Sequence, residues 1–205
     1  MSVRMLTVLL ASAVVGIVAA PVGAQDAPPN PLVLVETSEG DFQMELFKDR
    51  VPATVVNFLM YVQAGYYDGT IFHRVIRDVI IQGGGFVADD DDDVGMVPKV
   101  EGLRGRILNE ATGSMRNRRG TIAMARLAEP NSARQQFFIN VDDNTSFDHK
   151  NGTAQGFGYA VFGRVTDGMD IVRRIGRTRT TNRGDYRNVP REPIVIRSIR
   201  QIEAN

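Results

Sequence analysis

The sequence predicts a mainly β protein with one folded domain, built on a closed or packed antiparallel sheet and accompanied by two α-helices. Three observations lead to this fold class. The chain has 205 residues, which fits one compact domain with at most a small appendage. Many short apolar runs are separated by Gly, Asn and Asp, as antiparallel strands are. Only two segments have the apolar spacing of an amphipathic helix.

Residues 1–24 are predicted to be a signal peptide. Arg4 is followed by an uncharged apolar run from Met5 to Ala20. Val22–Ala24 then has residues of small or moderate size at the positions that a signal peptidase recognises. We expect cleavage after Ala24. The alternative is an uncleaved anchor, because the run is near the lower length limit for crossing a hydrocarbon core of about 30 Å.

The remainder of the chain divides into a short leader and the folded domain. Residues 25–31 (QDAPPNP) are interpreted as a flexible, proline-rich leader, and residues 32–205 as the domain. The sequence predicts no membrane span once the signal peptide is cleaved. An exported protein without cysteine fits a bacterial periplasm best, with secretion as the second choice, since small secreted eukaryotic domains more often rely on disulfides.

The domain begins with a predicted β-hairpin and a helix. Leu32–Val35 leads into a turn at Ser38–Gly40, and Asp41–Leu46 alternates polar and apolar residues with period two. A helix is predicted between Pro52, which suits the first helical turn, and Gly65, which can end it. The apolar face of this helix consists of Val55, Phe58, Leu59 and Val62.

Further strands and a second helix follow. The second helix is predicted to begin at Asp167, with Asp170 three residues on and Gly176 at its end. Its apolar face consists of Ile171, Val172 and Ile175. The further predicted strands are Thr70–Ile76, Val79–Gln82, Thr121–Ala125, Gln136–Val141, Tyr159–Val165 and Ile194–Ile199. Their number and brevity favour an antiparallel sheet over an alternating parallel one.

The composition excludes several classes of function. Lys plus Arg and Asp plus Glu both number 24, so no charge excess favours nucleic acid as a partner. The absence of cysteine excludes disulfides, thiolate nucleophiles and most structural zinc sites. The run Asp89–Asp93 has two interpretations, a calcium site or an exposed, self-repelling loop. We favour the loop, because consecutive residues do not converge on one ion, and we expect neither a metal nor a cofactor.

The stretch from Phe72 to Phe86 is the most informative. Its glycines lack the following Lys-Ser/Thr of a phosphate-binding loop and the spacing of a dinucleotide-binding helix. Arg74 and Gln82 are eight residues apart on adjoining predicted strands, an even spacing that can put both side chains on one face. Downstream, Phe137 and Phe138 must point to opposite faces of their strand.

Five motifs in the same order resemble the cyclophilins, a family of peptidyl-prolyl cis-trans isomerases. The motifs are FHRVI at 72–76, IQGGGF at 81–86, GTIAMA at 120–125, QFFIN at 136–140 and GYAVFGRV at 158–165. The resemblance runs from about Leu32 to the C-terminus. It implies an eight-stranded antiparallel β-barrel closed at each end by a helix, and an enzyme that accelerates X-Pro bond rotation in extended polypeptides without a cofactor.

The resemblance also implies roles for particular residues. Arg74 matches the catalytic arginine, and Gln82 matches the residue that positions it. Phe138 matches the floor of an apolar slot for proline, with Ile80 and Phe147 as walls. The other residues that the resemblance implies in substrate binding are Val79, where the family often has Phe, the loop residues Ala125, Arg126 and Leu127, and Gln136 and Tyr159.

Two departures from the family pattern affect this site. Asp78 stands where glycine is usual, which leads to the hypothesis that its carboxylate pairs with Arg74 and competes with substrate. The chain has no tryptophan, so either Ser146 or Phe147 stands where the family has one.

We therefore expect an exported, monomeric isomerase that assists protein folding and acts on unfolded or extended polypeptides containing proline. The runner-up is a binding module that uses the same groove to hold proline segments without turnover. A purely structural or metal-storing barrel is the third alternative. Measurement of cis-trans exchange at an X-Pro bond in a peptide distinguishes the isomerase from the binding module.

Overall fold

A computed structural model of the chain describes residues 30–203. The predicted signal peptide, and all of the predicted leader except Asn30 and Pro31, lie outside the described residues. The strands are β1 Leu32–Thr37, β2 Gly40–Leu46, β3 Arg74–Ile76, β4 Ile80–Gly83, β5 Phe86–Ala88, β6 Met96–Pro98, β7 Thr121–Met124, β8 Phe137–Asn140, β9 Val161–Asp167, β10 Thr180–Arg183, β11 Tyr186–Pro190 and β12 Ile196–Ile202. The helices are α1 Pro52–Gln63 and α2 Met169–Ile175.

Eight strands form one curled sheet, in the order β12-β1-β2-β9-β7-β8-β4-β3, with every neighbouring pair antiparallel. Two further hairpins, β5 with β6 and β10 with β11, lie outside it. The mainly β character with two helices is therefore confirmed.

The predicted closure of the barrel is wrong, because no ladder joins the edge strands β3 and β12 and the sheet forms a half-barrel. The two edges meet over a short stretch at an isolated bridge between Ile71 and Val195. There the Ile196 N–H donates to the Thr70 carbonyl at 2.7 Å, and the Phe72 N–H donates to the Ile194 carbonyl at 2.9 Å. β3 has three residues and is paired along one edge with β4, and the contact between the two edges reaches the first residue of β12 but stops before β3 begins.

Both helices lie close to their predicted positions. α1 begins at Pro52 as expected, and Gly65, with φ of +63°, follows its end. α2 begins at Met169 rather than Asp167, because Gly168 takes a left-handed conformation before the first turn and no side chain caps the helix. No helix within residues 30–203 has the length and hydropathy needed to cross a membrane.

Strand β8 is buried on both faces, and this double burial separates the core from the candidate site. Phe137 and Ile139 belong to the main core, where Phe137 packs edge-on against Phe58 of α1 at a ring distance of 5.5 Å. Phe138 belongs to a second apolar cluster on the other face, together with Ile80 of β4. The predicted opposite orientation of Phe137 and Phe138 is confirmed.

Candidate functional site

A row of directly paired residues crosses the sheet on the face that carries the second apolar cluster. Arg74 of β3 pairs with Gln82 of β4, and Gln82 pairs with Phe138 of β8. Phe138 in turn pairs with Ala123 of β7. Directly paired residues project from the same face of a sheet. The register therefore places a guanidinium, an amide and an aromatic ring side by side.

Hydrogen bonds hold the polar end of this row. The Arg74 Nη1 donates to the Gln82 Oε1 at 3.2 Å, and the Gln82 Nε2 donates to the Gln136 Oε1 at 3.0 Å. Gln82 therefore uses both ends of its amide, which fixes its orientation. Within residues 30–203 this is the only hydrogen bond of the Arg74 side chain, although a guanidinium has five N–H donors. Most of its donors thus remain available to a ligand.

The glycines after Gln82 make room for this arrangement. Gly84 has φ of +80°, a left-handed conformation that side chains other than glycine's rarely adopt. A Cβ at Gly85 would lie 2.3 Å from the Gln136 Nε2. Gly85 is therefore needed so that the Gln136 side chain can reach Gln82.

A cavity of about 200 Å³, with both polar and apolar side chains in its wall, is lined by Arg74 and Gln82. Phe138, which is only 3% exposed, lies among its lining residues together with Phe147 and Tyr159. The Phe138 ring lies edge-on to Phe147 at 5.7 Å and to Tyr159 at 5.3 Å. These T-shaped contacts are a favourable geometry for aromatic rings. The cavity thus has a rigid aromatic wall next to a cation with free donors.

Arg126 ties together the loops around this cavity. Its guanidinium lies over the Tyr159 ring, 4.9 Å from the ring centre. It also donates four hydrogen bonds of 2.9 to 3.0 Å to main-chain oxygens. The acceptors are Leu127, Ala128, Ala154 and Gly158. The side chain of Arg126 is therefore a positioning group for the aromatic wall, a role that the sequence did not indicate.

Replacing Arg126 is expected to loosen this wall. An Arg126→Ala variant should lose about 1 to 2 kcal/mol of unfolding free energy, since several charge-assisted hydrogen bonds and the contact with Tyr159 disappear. Arg126→Lys should recover only part of this, because an ammonium cannot reproduce the planar fork. Urea unfolding measures both effects. Equal stability of the wild type and Arg126→Ala would contradict the positioning role.

A larger cavity of about 370 Å³ lies beside the first and shares Gln82, Ala125 and Arg126 with it. Leu127 and Gln136, both expected to bind substrate, line this larger cavity. We refer to these two adjoining cavities together as the groove.

The structure brings most of the predicted site residues to this groove. Those that line the smaller cavity are Arg74, Ile80, Gln82, Ala125, Arg126, Phe138, Phe147 and Tyr159. Val79 lines neither cavity. It is half-buried at the edge of the second apolar cluster, and its carbonyl accepts hydrogen bonds from Val141 and Asn144. Ile76, which we did not predict, does line the smaller cavity. Its position two residues after Arg74 could have indicated this, because alternate strand residues share a face.

Asp78 does not pair with Arg74, so the hypothesis of competition with substrate is wrong. Its carboxylate is 3.1 Å from the Arg177 Nε and 3.6 Å from the Arg77 Nε. Asp78 has φ of +54°, at the tip of the turn between β3 and β4. Aspartate tolerates this left-handed conformation better than most residues. The turn therefore directs the carboxylate away from the row.

Of Ser146 and Phe147, only Phe147 lies in the groove. Phe147 lines the smaller cavity and contacts Phe138, whereas Ser146 is exposed and lines no part of the groove. Phe147 is thus the aromatic residue at this end of the site.

His73 lies directly before Arg74 but is buried, with 5% of its surface exposed and its ring 4.5 Å from that of Phe86. Its Nδ1 has no hydrogen-bond partner among the described residues. Burial lowers the pKa of His73 from 6.5 to about 4, and the nearby charge of Arg74 also acts to lower it. His73 is therefore neutral at pH 7.

The acidic run Asp89–Asp93 forms a surface loop after β5. Asp89 and Asp92 accept hydrogen bonds from main-chain N–H groups two residues further on. Nowhere in residues 30–203 do three carboxylate or imidazole groups converge as the ligands of one ion would.

Comparison with known proteins gives consistent matches. The family model described as "Cyclophilin type peptidyl-prolyl cis-trans isomerase/CLD" matches residues 32–201. The peptidyl-prolyl cis-trans isomerase cyp18 of Streptomyces antibioticus is 48% identical over 166 residues, which are 81% of this chain and 95% of that protein. The peptidyl-prolyl cis-trans isomerase B of Escherichia coli K12 is 44% identical over 168 residues, 82% of this chain and 98% of that protein.

A similar solved structure is that of a cyclophilin type peptidyl-prolyl cis-trans isomerase from Cryptosporidium parvum. It has a TM-score of 0.68 and 27% sequence identity, covering 86% of this chain and 99% of that one. A second structure of that protein, determined in the presence of the dipeptide Ala-Pro, has a TM-score of 0.67 and 29% identity, over 85% of this chain and 99% of that one.

Proposed function

Since the chain belongs to the cyclophilin-type peptidyl-prolyl cis-trans isomerases and catalyses rotation of X-Pro bonds, we propose that Arg74 is its catalytic donor and that the cavity over Phe138 holds the proline. The observation that carries this proposal is the row of directly paired residues, in which Gln82 lies between Arg74 and Phe138. A cation with free donors thus lies next to an apolar slot.

The reaction needs a donor rather than an acid or a nucleophile. Rotation of the bond has a barrier of about 18–20 kcal/mol, because amide resonance is lost as the bond twists. The prolyl nitrogen of the twisted bond is more pyramidal and more basic. A donor aimed at this nitrogen therefore stabilises the transition state more than either planar ground state. Arg74 stays charged at ordinary pH, and its planar fork can contact the substrate carbonyl as well.

The two cavities explain how the substrate is oriented. Burial of a proline ring against Phe138 contributes on the order of 2 kcal/mol, which selects proline without selecting a longer sequence. Within the described residues, neither the main-chain N–H nor the C=O of Arg126 makes a hydrogen bond. These groups are available to pair with an extended chain, as in other cases of strand addition. The residue before the proline is thus held against the loop after Ala125.

Replacing Gln82 tests how the donor is oriented. A Gln82→Leu variant loses its hydrogen bonds to both Arg74 and Gln136, and we expect kcat/KM to fall about tenfold, mainly through kcat. The matched control is Gln43→Leu on β2, outside the groove, which should keep the wild-type rate. Prolyl exchange in an Ala-Pro peptide, measured by NMR, gives both constants. An unchanged kcat in Gln82→Leu would remove Gln82 from the proposal.

We further propose that the enzyme is exported to the periplasm as a monomer and assists folding of proteins there. The support is the apolar run and the small residues before Gln25, together with the absence of cysteine. Expression of the full chain in a bacterium, followed by mass spectrometry of the periplasmic fraction, should find a mature N-terminus at Gln25. An intact N-terminus in the membrane fraction would instead support the anchor.

A further inference from the structure

The larger cavity of the groove differs in charge from the proline slot. Ten residues line it, and three of them are arginines, whereas none is a carboxylate. The arginines are Arg106, Arg126 and Arg134. The Arg126 guanidinium is already bound by four main-chain oxygens. Arg106 and Arg134 are therefore the cations that this cavity offers to a ligand.

A short backbone contact brings these two arginines together. Ile107 and Ala133 form an isolated antiparallel bridge, in which the Ile107 N–H donates to the Ala133 carbonyl at 3.0 Å. This register sets Arg106 opposite Arg134, and residues in such positions have their Cβ atoms about 5 Å apart. The Arg134 carbonyl also accepts a hydrogen bond of 2.5 Å from Asn57 of α1, which anchors the segment.

The pairing of two like charges is unfavourable in the free protein. Within residues 30–203, neither guanidinium has a hydrogen-bond or ion-pair partner. Arg106 is exposed, whereas Arg134 is half-buried at the cavity wall. A carboxylate between them would relieve the repulsion and accept charge-assisted hydrogen bonds from both sides. The cavity thus has a charge pattern that an acidic ligand complements.

We propose that Arg106 and Arg134 bind an acidic side chain of the substrate, at one of the two positions before the proline. This inference rests on the proposed function, which places the proline over Phe138 and the residue before it beside Arg126. The larger cavity continues the groove from Arg126 and Ala125. The enzyme therefore prefers Asp or Glu before X-Pro bonds over Lys at the same position.

The test compares peptides that differ in one residue. Glu, Gln or Lys is placed at each of the two positions before an X-Pro bond, and at the two positions after the proline as a control. At about 10 mM ionic strength we expect kcat/KM for Glu at one of the preceding positions to exceed that for Gln about fivefold, with Lys lower still. The preference should be lost at about 1 M salt, where the Debye length is about 3 Å.

Variants assign the effect to the cavity. Arg106→Ala with Arg134→Ala should abolish the Glu preference and leave the rate on the Gln peptide unchanged. A matched double variant, Arg187→Ala with Arg197→Ala, removes two exposed arginines of β11 and β12 outside the groove and should keep the preference. Equal rates for Glu and Lys in the wild type, or a preference that survives loss of Arg106 and Arg134, would overturn the inference. If the wild type accelerated isomerisation of none of these peptides, the result would instead count against the proposed function.

Discussion

An Arg74→Ala variant is expected to lower kcat/KM for an Ala-Pro peptide about 100-fold, because removal of one preoriented donor to a developing charge typically costs about 100- to 1,000-fold. The fold should not change. The Arg74 side chain is half-buried and makes a single hydrogen bond, to Gln82, among the described residues. The measurement is NMR exchange of the peptide with the purified chain from Gln25 onward, accompanied by thermal unfolding of each variant.

Arg74→Lys is the informative companion variant. Lysine keeps the positive charge but has no planar fork, so it cannot contact the prolyl nitrogen and the substrate carbonyl in the same way. We expect it to recover less than a tenth of the wild-type rate. If charge alone were sufficient, the rate of Arg74→Lys would approach that of the wild type. That result would contradict the requirement for a planar, oriented donor.

The same assay separates peptide binding from turnover in each variant. A variant that binds the peptide, as shown by chemical-shift changes, but does not accelerate exchange has kept recognition and lost catalysis. Full activity of Arg74→Ala would show that the donor lies elsewhere.

Acidification from pH 7 to about pH 4 is expected to cost the wild type about 3 kcal/mol more unfolding free energy than it costs a His73→Gln variant. Burial lowers the pKa of His73 from 6.5 to about 4 in the folded state. The unfolded chain therefore binds a proton in this window while the folded chain does not. The contribution of neutral His73 to the unfolding free energy is fully present above about pH 6.5 and is lost as the pH falls towards 4.

Urea unfolding at a series of pH values measures this difference. The comparison variant is His149→Gln, which removes the other histidine of the chain. His149 is half-buried, and its Nδ1 lies 2.8 Å from the carbonyl oxygen of Phe157. Parallel pH curves for the wild type and His73→Gln would show that His73 does not titrate as its burial requires.

Much of the fold could be predicted from the sequence because its signals are local. Period-two alternation in Asp41–Leu46 and the spacing of apolar residues in α1 depend on neighbouring residues alone. The even spacing of Arg74 and Gln82 predicted a shared face, which the register confirms. The opposite orientation of Phe137 and Phe138 follows from the geometry of any strand.

The features that could not be predicted depend on contacts between distant segments. Closure of the barrel depends on how far the pairing beside Ile71 and Val195 extends, and no local pattern reports this. The bonds of Arg126 to a loop 28 residues away, at Ala154, required the folded arrangement. The direction of the Asp78 carboxylate depends on a left-handed backbone and on the position of Arg177 beyond α2.

The direct pairing of Arg74 with Gln82 makes the proposed site sensitive to chain length in one place. The turn from Arg77 to Val79 joins β3 to β4, so inserting or deleting one residue there would shift the pairing of Arg74 with Gln82 by one position. A slip of one residue moves every side chain of the shifted strand to the other face. The side chains of this exposed turn can therefore be replaced with little effect on the pairing, whereas its length is constrained by the register of Arg74 with Gln82.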